Sequence, residues 1–458
     1  MDGVAEFFNL LKQYWYKKTA LFLILIIPFI LILTFCQFKF NELKLSQIIV
    51  ITTSTVLLFL YWVFTNKETK FKKNVIGILF IIRTENEEQY NTIKSRLVEE
   101  IEEKLNSNFQ VIFLKRSRAN SKKICTETIN QIFTKTNAKL ILFGKSYCGN
   151  INNTENIVIE LGGAVSHSPI PEEIKKDLSG EMQQLIKKEI FIPKNNDIVN
   201  FKIYSEWFEL VTKYIVGLSF YLSANFDLAK DIYEDLNNEV SIIRLNIPII
   251  SQIKSKIPQR LYETYNVLSK ITYFRYRNSK DKSFLQDMKC YLDKMNKLIP
   301  ETYEYLLRSS IYYFLYERNL YKSKDEIRKC KNIRDVSWIY SDAFLDTYKG
   351  KLRDAYKKYM IAFKRNFDHI LLFDIEDFIT DVLEEEPDKY QLYFALGLIN
   401  FHYKGDNIFA YQHFDTFIKN INPRYVNEIK IASEYMQQII EKNLAESGIS
   451  QAAAISLK

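Results

Sequence analysis

The stretch Ala343-Phe344-Leu345-Asp346-Thr347-Tyr348-Lys349-Gly350-Lys351-Leu352-Arg353-Asp354-Ala355-Tyr356-Lys357-Lys358-Tyr359-Met360-Ile361-Ala362 decides how the second half of the chain folds. Small residues stand at Ala343, Gly350, Ala355 and Ala362, and an aromatic at Tyr359. The pattern predicts two helices joined by a turn at Gly350. The small positions let the paired helices approach closely, and the aromatic ring fills the hole beside them. The arrangement recurs earlier at Gly217, Ala229 and Tyr233, with Asn225-Phe226-Asp227 at the turn. It recurs later at Gly397, Gly405, Ala410 and Phe414, followed by Pro423, with a slip of one residue.

This spacing resembles the tetratricopeptide repeat, which has small residues at its eighth and twentieth positions, an aromatic at the twenty-fourth and often Ala at the twenty-seventh. The resemblance implies an all-α solenoid over residues 200–444, with about five to seven irregular helical pairs and a concave surface for a partner protein. Within it, Leu261–Leu298 and Tyr303–Cys330 are helical in period but poor in signature, and His369–Leu383 reads as an extra unpaired helix. Tyr305, Tyr312, Tyr313, Tyr316 and Tyr321 are either core or groove anchors. Residues 445–458 read as a flexible tail.

Residues 74–194 alternate short apolar runs with amphipathic helices. Val75–Ile82 is near-continuously apolar, as a buried parallel strand requires. Ile93, Leu97, Ile101 and Leu105 make one stripe on a helix over Glu85–Asn106. Phe109–Leu114 and Lys139–Phe143 predict further strands, with Ser121 capping a helix that runs to Thr136. A polar turn over Cys148–Asn156 leads to Ile157–Leu161 as a hairpin partner, and Leu161-Gly162-Gly163-Ala164 suggests a bulge or turn. Pro171–Lys187 predicts a helix and Ile190–Ile192 a last strand. The order β-α-β-α-β-β-α-β indicates a small α/β sandwich.

The succession of Val75–Phe80, Tyr90–Leu105, Val111–Arg118 and Asn137–Gly144, running into a hairpin that ends at Leu161, resembles the TolB amino-terminal-like domain. The segments Phe113-Leu114-Lys115-Arg116-Ser117 and Asn137-Ala138-Lys139-Leu140-Ile141-Leu142-Phe143-Gly144 carry that likeness. The resemblance implies an interaction or sensory module, often joined to tetratricopeptide repeats, and no catalytic residues.

Near the N-terminus, Thr19–Phe38 and Leu45–Asn66 carry no ionisable side chain. At about 1.5 Å per residue each is long enough for a bilayer core, so 19–66 reads as a transmembrane hairpin behind a cytoplasmic segment 1–18. Lys12, Lys17 and Lys18 before it, and Lys67, Lys70, Lys72 and Lys73 after it, place both termini in the cytoplasm of a bacterial inner membrane. Thr52, Thr53, Ser54 and Thr55 form a polar cluster suited to helix–helix bonding in an oligomer.

The chemistry-bearing residues are sparse. Five cysteines lack C-x-x-C spacing, and four histidines (His167, His369, His402, His413) are dispersed, so no disulfide framework and no metal site is expected. Gly144-Lys145-Ser146 resembles the end of a phosphate loop without its first glycine. No nucleophile elbow, zinc-protease or dinucleotide fingerprint occurs, so neither catalysis nor a cofactor is expected. The net charge of +8 is modest and partly juxtamembrane, which gives no reason to expect nucleic acid. Basic residues do follow three strand ends: Arg83, then Lys115, Arg116 and Arg118, then Lys145. Ligands of open α/β sheets bind at such ends, so these side chains suit an anionic small ligand, a nucleotide or the headgroups of a nearby membrane, the alternative being the generic basic surface of a lysine-rich protein.

The fold expected is therefore an α+β membrane protein: two N-terminal transmembrane helices, a small α/β sandwich and a C-terminal all-α tetratricopeptide-like solenoid. The function expected is a membrane-anchored, homo-oligomeric recognition scaffold that binds a partner protein. The alternative is a triggered membrane effector, as in antiviral defence, whose oligomerised hairpins disrupt the bilayer.

Overall fold

Seven successive buried residues, Ile76–Ile82, open the strand β1 (Ile76–Arg83), which lies between two parallel neighbours. The computed structural model describes residues 15, 45–67, 70–72, 75–105, 108–151, 154–167, 180–181, 189–193, 198–244, 248–331, 335–365 and 369–446. A five-stranded sheet has the order β2-β1-β3-β4-β5. β2 (Phe109–Phe113) and β3 (Leu140–Ile151) pair parallel to β1. β4 (Thr154–Val165) and β5 (Glu189–Pro193) continue antiparallel.

Helices cover both faces of the sheet. On one, Leu79, Ile81 and Ile141 pack with Ala119 and Ile132, from helices α4 (Arg116–Ser121) and α5 (Thr126–Thr136). On the other runs the helix expected over 85–106. It forms as α2 (Glu87–Ile93), a π turn (Lys94–Val98) and α3 (Glu99–Lys104). Its stripe Ile93, Leu97, Ile101 and Leu105 is buried. Asn86 caps α2, its side chain accepting from the Gln89 N–H.

Three local expectations need correction. The β3–β4 hairpin runs through the supposed polar turn, pairing Cys148 with Ile157 and Gly149 with Asn156. Ser121 caps no helix; its hydroxyl donates to the Arg118 carbonyl, and Cys125 precedes α5. Gly162 lies in regular strand opposite Phe143, where a Cβ would sit 2.6 Å from the Phe143 ring. The helix expected over Pro171–Lys187 lies outside the described residues, save Gly180 and Glu181, which are helical.

The chain divides into two compact units, Met1–Thr264 and Tyr265–Lys458. The helical pair α6 (Ile198–Leu222) and α7 (Phe226–Ile242) belongs to the first. Phe208 of α6 lies 5.7 Å from Phe80 of β1, and the Ser219 hydroxyl donates to the Ser166 carbonyl. The border itself falls within helix α8 (Pro248–Ser279). The second unit continues all-helical: α9 (Ser283–Leu298), α10 (Tyr303–Leu315), α11 (Leu320–Lys329), α12 (Ser337–Tyr348), α13 (Leu352–Arg365), α14 (His369–Glu385), α15 (Gln391–Ile399), a π turn (Asn400–Lys404), α16 (Asn407–Asn420) and α17 (Val426–Glu446).

Four helical pairs turn on one device. Between α6–α7, α10–α11, α12–α13 and α15–α16 stand Ala224 (φ 57°), Arg318 (φ 51°), Gly350 (φ 79°) and Gly405 (φ 62°), all left-handed. The small residue of each first helix precedes it by seven positions (Gly217, Ala343) or by eight (Ser310, Gly397). In the shorter pairs Asn225 N–H donates to Phe220 O, and Lys351 N–H to Asp346 O. In the longer pairs the closing bond reaches one residue further, from Asn319 to Tyr313 and from Asp406 to Asn400. The one-residue slip at Gly397 is thus physical. Its extra residue is housed in the π turn, a usual way to absorb an insertion in a helix.

The small residues meet the aromatics. A Cβ on Gly217 would sit 2.7 Å from the Tyr233 ring, and one on Gly397 2.5 Å from Phe414. Ala229, Ala343, Ala355, Tyr359, Ala362 and Ala410 are buried in the same seams. Asp342 and Asp346 of α12 bond Lys324 of α11 and Lys358 of α13. Burial works against the Asp346 carboxylate, but bonds from both lysines outweigh it and hold its pKa below the usual range.

The expectation of transmembrane helices is overturned. Among the described residues no helix is long and apolar enough to cross a membrane. Leu45–Asn66 is helical (α1). The stretch Thr19–Phe38 lies outside the described residues, as does the tail beyond Glu446.

Candidate functional site

The second unit holds a cavity of about 630 Å³ bounded by α8, α10, α12 and α14. Its walls are largely apolar: Phe274, Leu307, Ile311, Phe314, Phe344 and Phe378. The rings order one another, for Phe344 meets Phe314 edge-on at 5.1 Å and Phe378 at 5.0 Å. Phe274 is half exposed, at 52%. An apolar wall with an accessible aromatic is the usual make-up of a recognition pocket.

A few fixed polar groups interrupt the walls. Arg308 is buried and donates from one Nη to Ser269 Oγ at 2.5 Å and to the Asn266 carbonyl at 3.1 Å. The Asp335 carboxylate accepts from the Tyr303 hydroxyl and from the Ser337 N–H at 2.7 Å. Burial opposes its ionisation, yet these bonds keep it ionised below the usual carboxylate range. Arg277 is tied by its Nε to Asp381 at 2.8 Å.

The tyrosines weighed as anchors do not line this cavity. Tyr305 and Tyr312 are buried, the latter stacked on Tyr316 at 5.2 Å, and Tyr321 is exposed. Tyr303 and Tyr340 line it instead. Sequence reasoning also missed a serine pair in its lining. The Ser310 and Ser323 hydroxyls bond at 2.8 Å in the α10–α11 seam, where other pairs carry Gly or Ala. The spacing Ser310, Arg318, Ser323, Ile327 repeats that of Gly397, Gly405, Ala410, Phe414, which was the available signal.

The five basic residues after the strand ends separate in the first unit. Arg116 turns inward, its guanidinium donating to the Thr84 and Glu85 carbonyls and lying 3.5 Å from Glu87. Arg118 donates to the Lys67 carbonyl at 3.1 Å, and Lys115 precedes α4, its carbonyl accepting from Arg118 and Ala119. Arg83 and Lys145 do come together, as cross-strand partners beside a second cavity of about 540 Å³. Lys123 joins them there, unforeseen.

Among the other residues weighed, Thr53 donates to the Ile49 carbonyl of its own helix, and Thr52, Ser54 and Thr55 flank it on α1. His402 lies 2.8 Å from the Tyr435 hydroxyl, while His413 lies against Tyr393. Among the described residues no group of three or more His, Cys, Asp or Glu could hold a metal ion.

No protein-family profile matches the chain, and no curated protein matches it in sequence.

Proposed function

We propose that the helical unit is a recognition platform that holds an apolar segment of a partner protein, without catalysis. The cavity walled by α8, α10, α12 and α14 carries this reading: its size, apolar lining and half-exposed Phe274 suit one or two aliphatic or aromatic anchor side chains. The fixed Arg308 and Asp335 add polar groups able to orient a peptide backbone. The repeated left-handed turn and the small-residue-to-ring seams support assignment of the pairs to the tetratricopeptide type, which commonly presents such a concave surface. The strand order and the hairpin support a TolB amino-terminal-like reading of the sheet region as an accompanying interaction module.

Selection of displayed random peptides on the intact protein tests the proposal. Apolar-anchored peptides should emerge, and Phe274→Glu should weaken them by about tenfold or more, as loss of an aromatic anchor contact does. Peptides that bind the Phe274→Glu protein unchanged would refute the groove as the site.

A further inference from the structure

We infer that the first unit carries a separate pocket for a phosphorylated small molecule with a ring, of the mononucleotide class. The pocket lies where the parallel pairing of β1 and β3 ends, the place at which open α/β sheets bind ligands. Arg83 and Lys145 stand opposite each other across those strands, and Lys123 approaches from the segment between α4 and α5.

Three cations share this pocket with one carboxylate, Glu160. Lys145 bonds Glu160 at 3.2 Å, but the two side chains are 63% and 41% exposed, so the pair is weak and easily exchanged for a ligand oxygen. Lys123 is exposed and forms no ion pair among the described residues. Arg83 is held at the pocket wall by one Nη donating to the Lys122 carbonyl. The two exposed lysines beside this held guanidinium offer charge-assisted donors to phosphate oxygens.

The rest of the lining is apolar, from Ile124, Phe143 and Leu161. The volume far exceeds that of a phosphate ion and falls in the range of roughly 300–1,000 Å³ usual for small-molecule sites. The Phe143 ring lies across Gly162, so a flat aromatic surface borders the charged end. Charge at one end and a ring surface at the other define a ring-bearing phosphate ester.

Calorimetric titration of the full chain with AMP, adenosine and inorganic phosphate tests this. AMP should bind more tightly than either other compound. The exposed double variant Lys123→Gln/Lys145→Gln should lose about tenfold or more in affinity, as removal of charge-assisted contacts does. Glu160→Gln should gain about two- to fivefold, because a competing carboxylate is gone. Unchanged melting of the variants keeps folding out of the comparison. Absence of AMP binding, equal binding of AMP and adenosine, or equal affinity in the double variant would each overturn the assignment. Inorganic phosphate binding as well as AMP would overturn the ring half of it.

Discussion

Substituting Gly397 by Val probes the seam between paired helices. A Cβ there would lie 2.5, 2.6 and 2.9 Å from three carbons of the Phe414 ring, against about 3.5–4.0 Å for relaxed contact. Phe414 cannot retreat, because it is fully buried, stacked on Tyr435 at 5.6 Å and tilted against Phe394 at 6.3 Å. Overpacking costs about 1–3 kcal/mol, and Val's branch on an immobile ring puts this site at about 3. Helix propensity returns only a few tenths of a kcal/mol when Val replaces Gly. Phe414→Ala alone costs about 3–5 kcal/mol through the cavity it leaves. In the double variant the valine enters that cavity, so the combined cost should fall short of the sum by about 2 kcal/mol, within the range of contacting pairs. Hydrogen exchange of peptides covering residues 391–420 reads the local opening free energy directly. Additivity within about 0.5 kcal/mol would mean that the two residues do not touch, and the pairing register would be wrong.

Other expectations follow from single features. Ala224→Gly should stabilise the first unit by about 1 kcal/mol by relieving a left-handed alanine, and Gly405→Ala, with nothing within 4 Å of the new Cβ, should cost the second unit about as much; paired melting curves of both variants decide it. Lys213 is almost fully buried against Glu209, Asp235 and Glu239, so Lys213→Met leaves carboxylates without their cation; denaturant titration should show a loss of about 3–5 kcal/mol, and a neutral result would refute the packing of α6 on α7. Burial holds the His402 and His413 pKa values below their ordinary range. The unfolded chain therefore takes up protons first as pH falls, and stability should decline from about pH 7 to 5. Melting temperatures of His402→Gln/His413→Gln should depend less steeply on pH in that window, and an identical slope would contradict the assignment.

Much of the helical pairing is legible in the sequence, and the reasons are local. Gly217 and Gly397 advertise themselves because nothing but a missing side chain admits the rings of Tyr233 and Phe414. Ser310 and Ser323 stayed hidden, since serine reads as surface until two hydroxyls are seen to satisfy each other. The far half of β3 reads as a turn because Cys148-Gly149-Asn150 has turn composition, and only pairing with Thr154–Ile157 makes it strand. Strand ends predicted where basic residues gather, but not which would stay available. Arg116 and Arg118 are drawn to backbone carbonyls away from the cavity that Arg83 and Lys145 line, and no sequence pattern marks such carbonyls.

In-cell photocrosslinking tests the recognition groove most directly. A photoreactive phenylalanine analogue placed at Phe274, on the cavity wall, is compared with one at Ile361, exposed on α13 and outside the cavity lining. A discrete protein adduct from position 274, absent from 361 and lost with Leu307→Arg, is the predicted result. Equal adducts from both positions, or none from 274 under conditions where 361 reacts, would contradict the account.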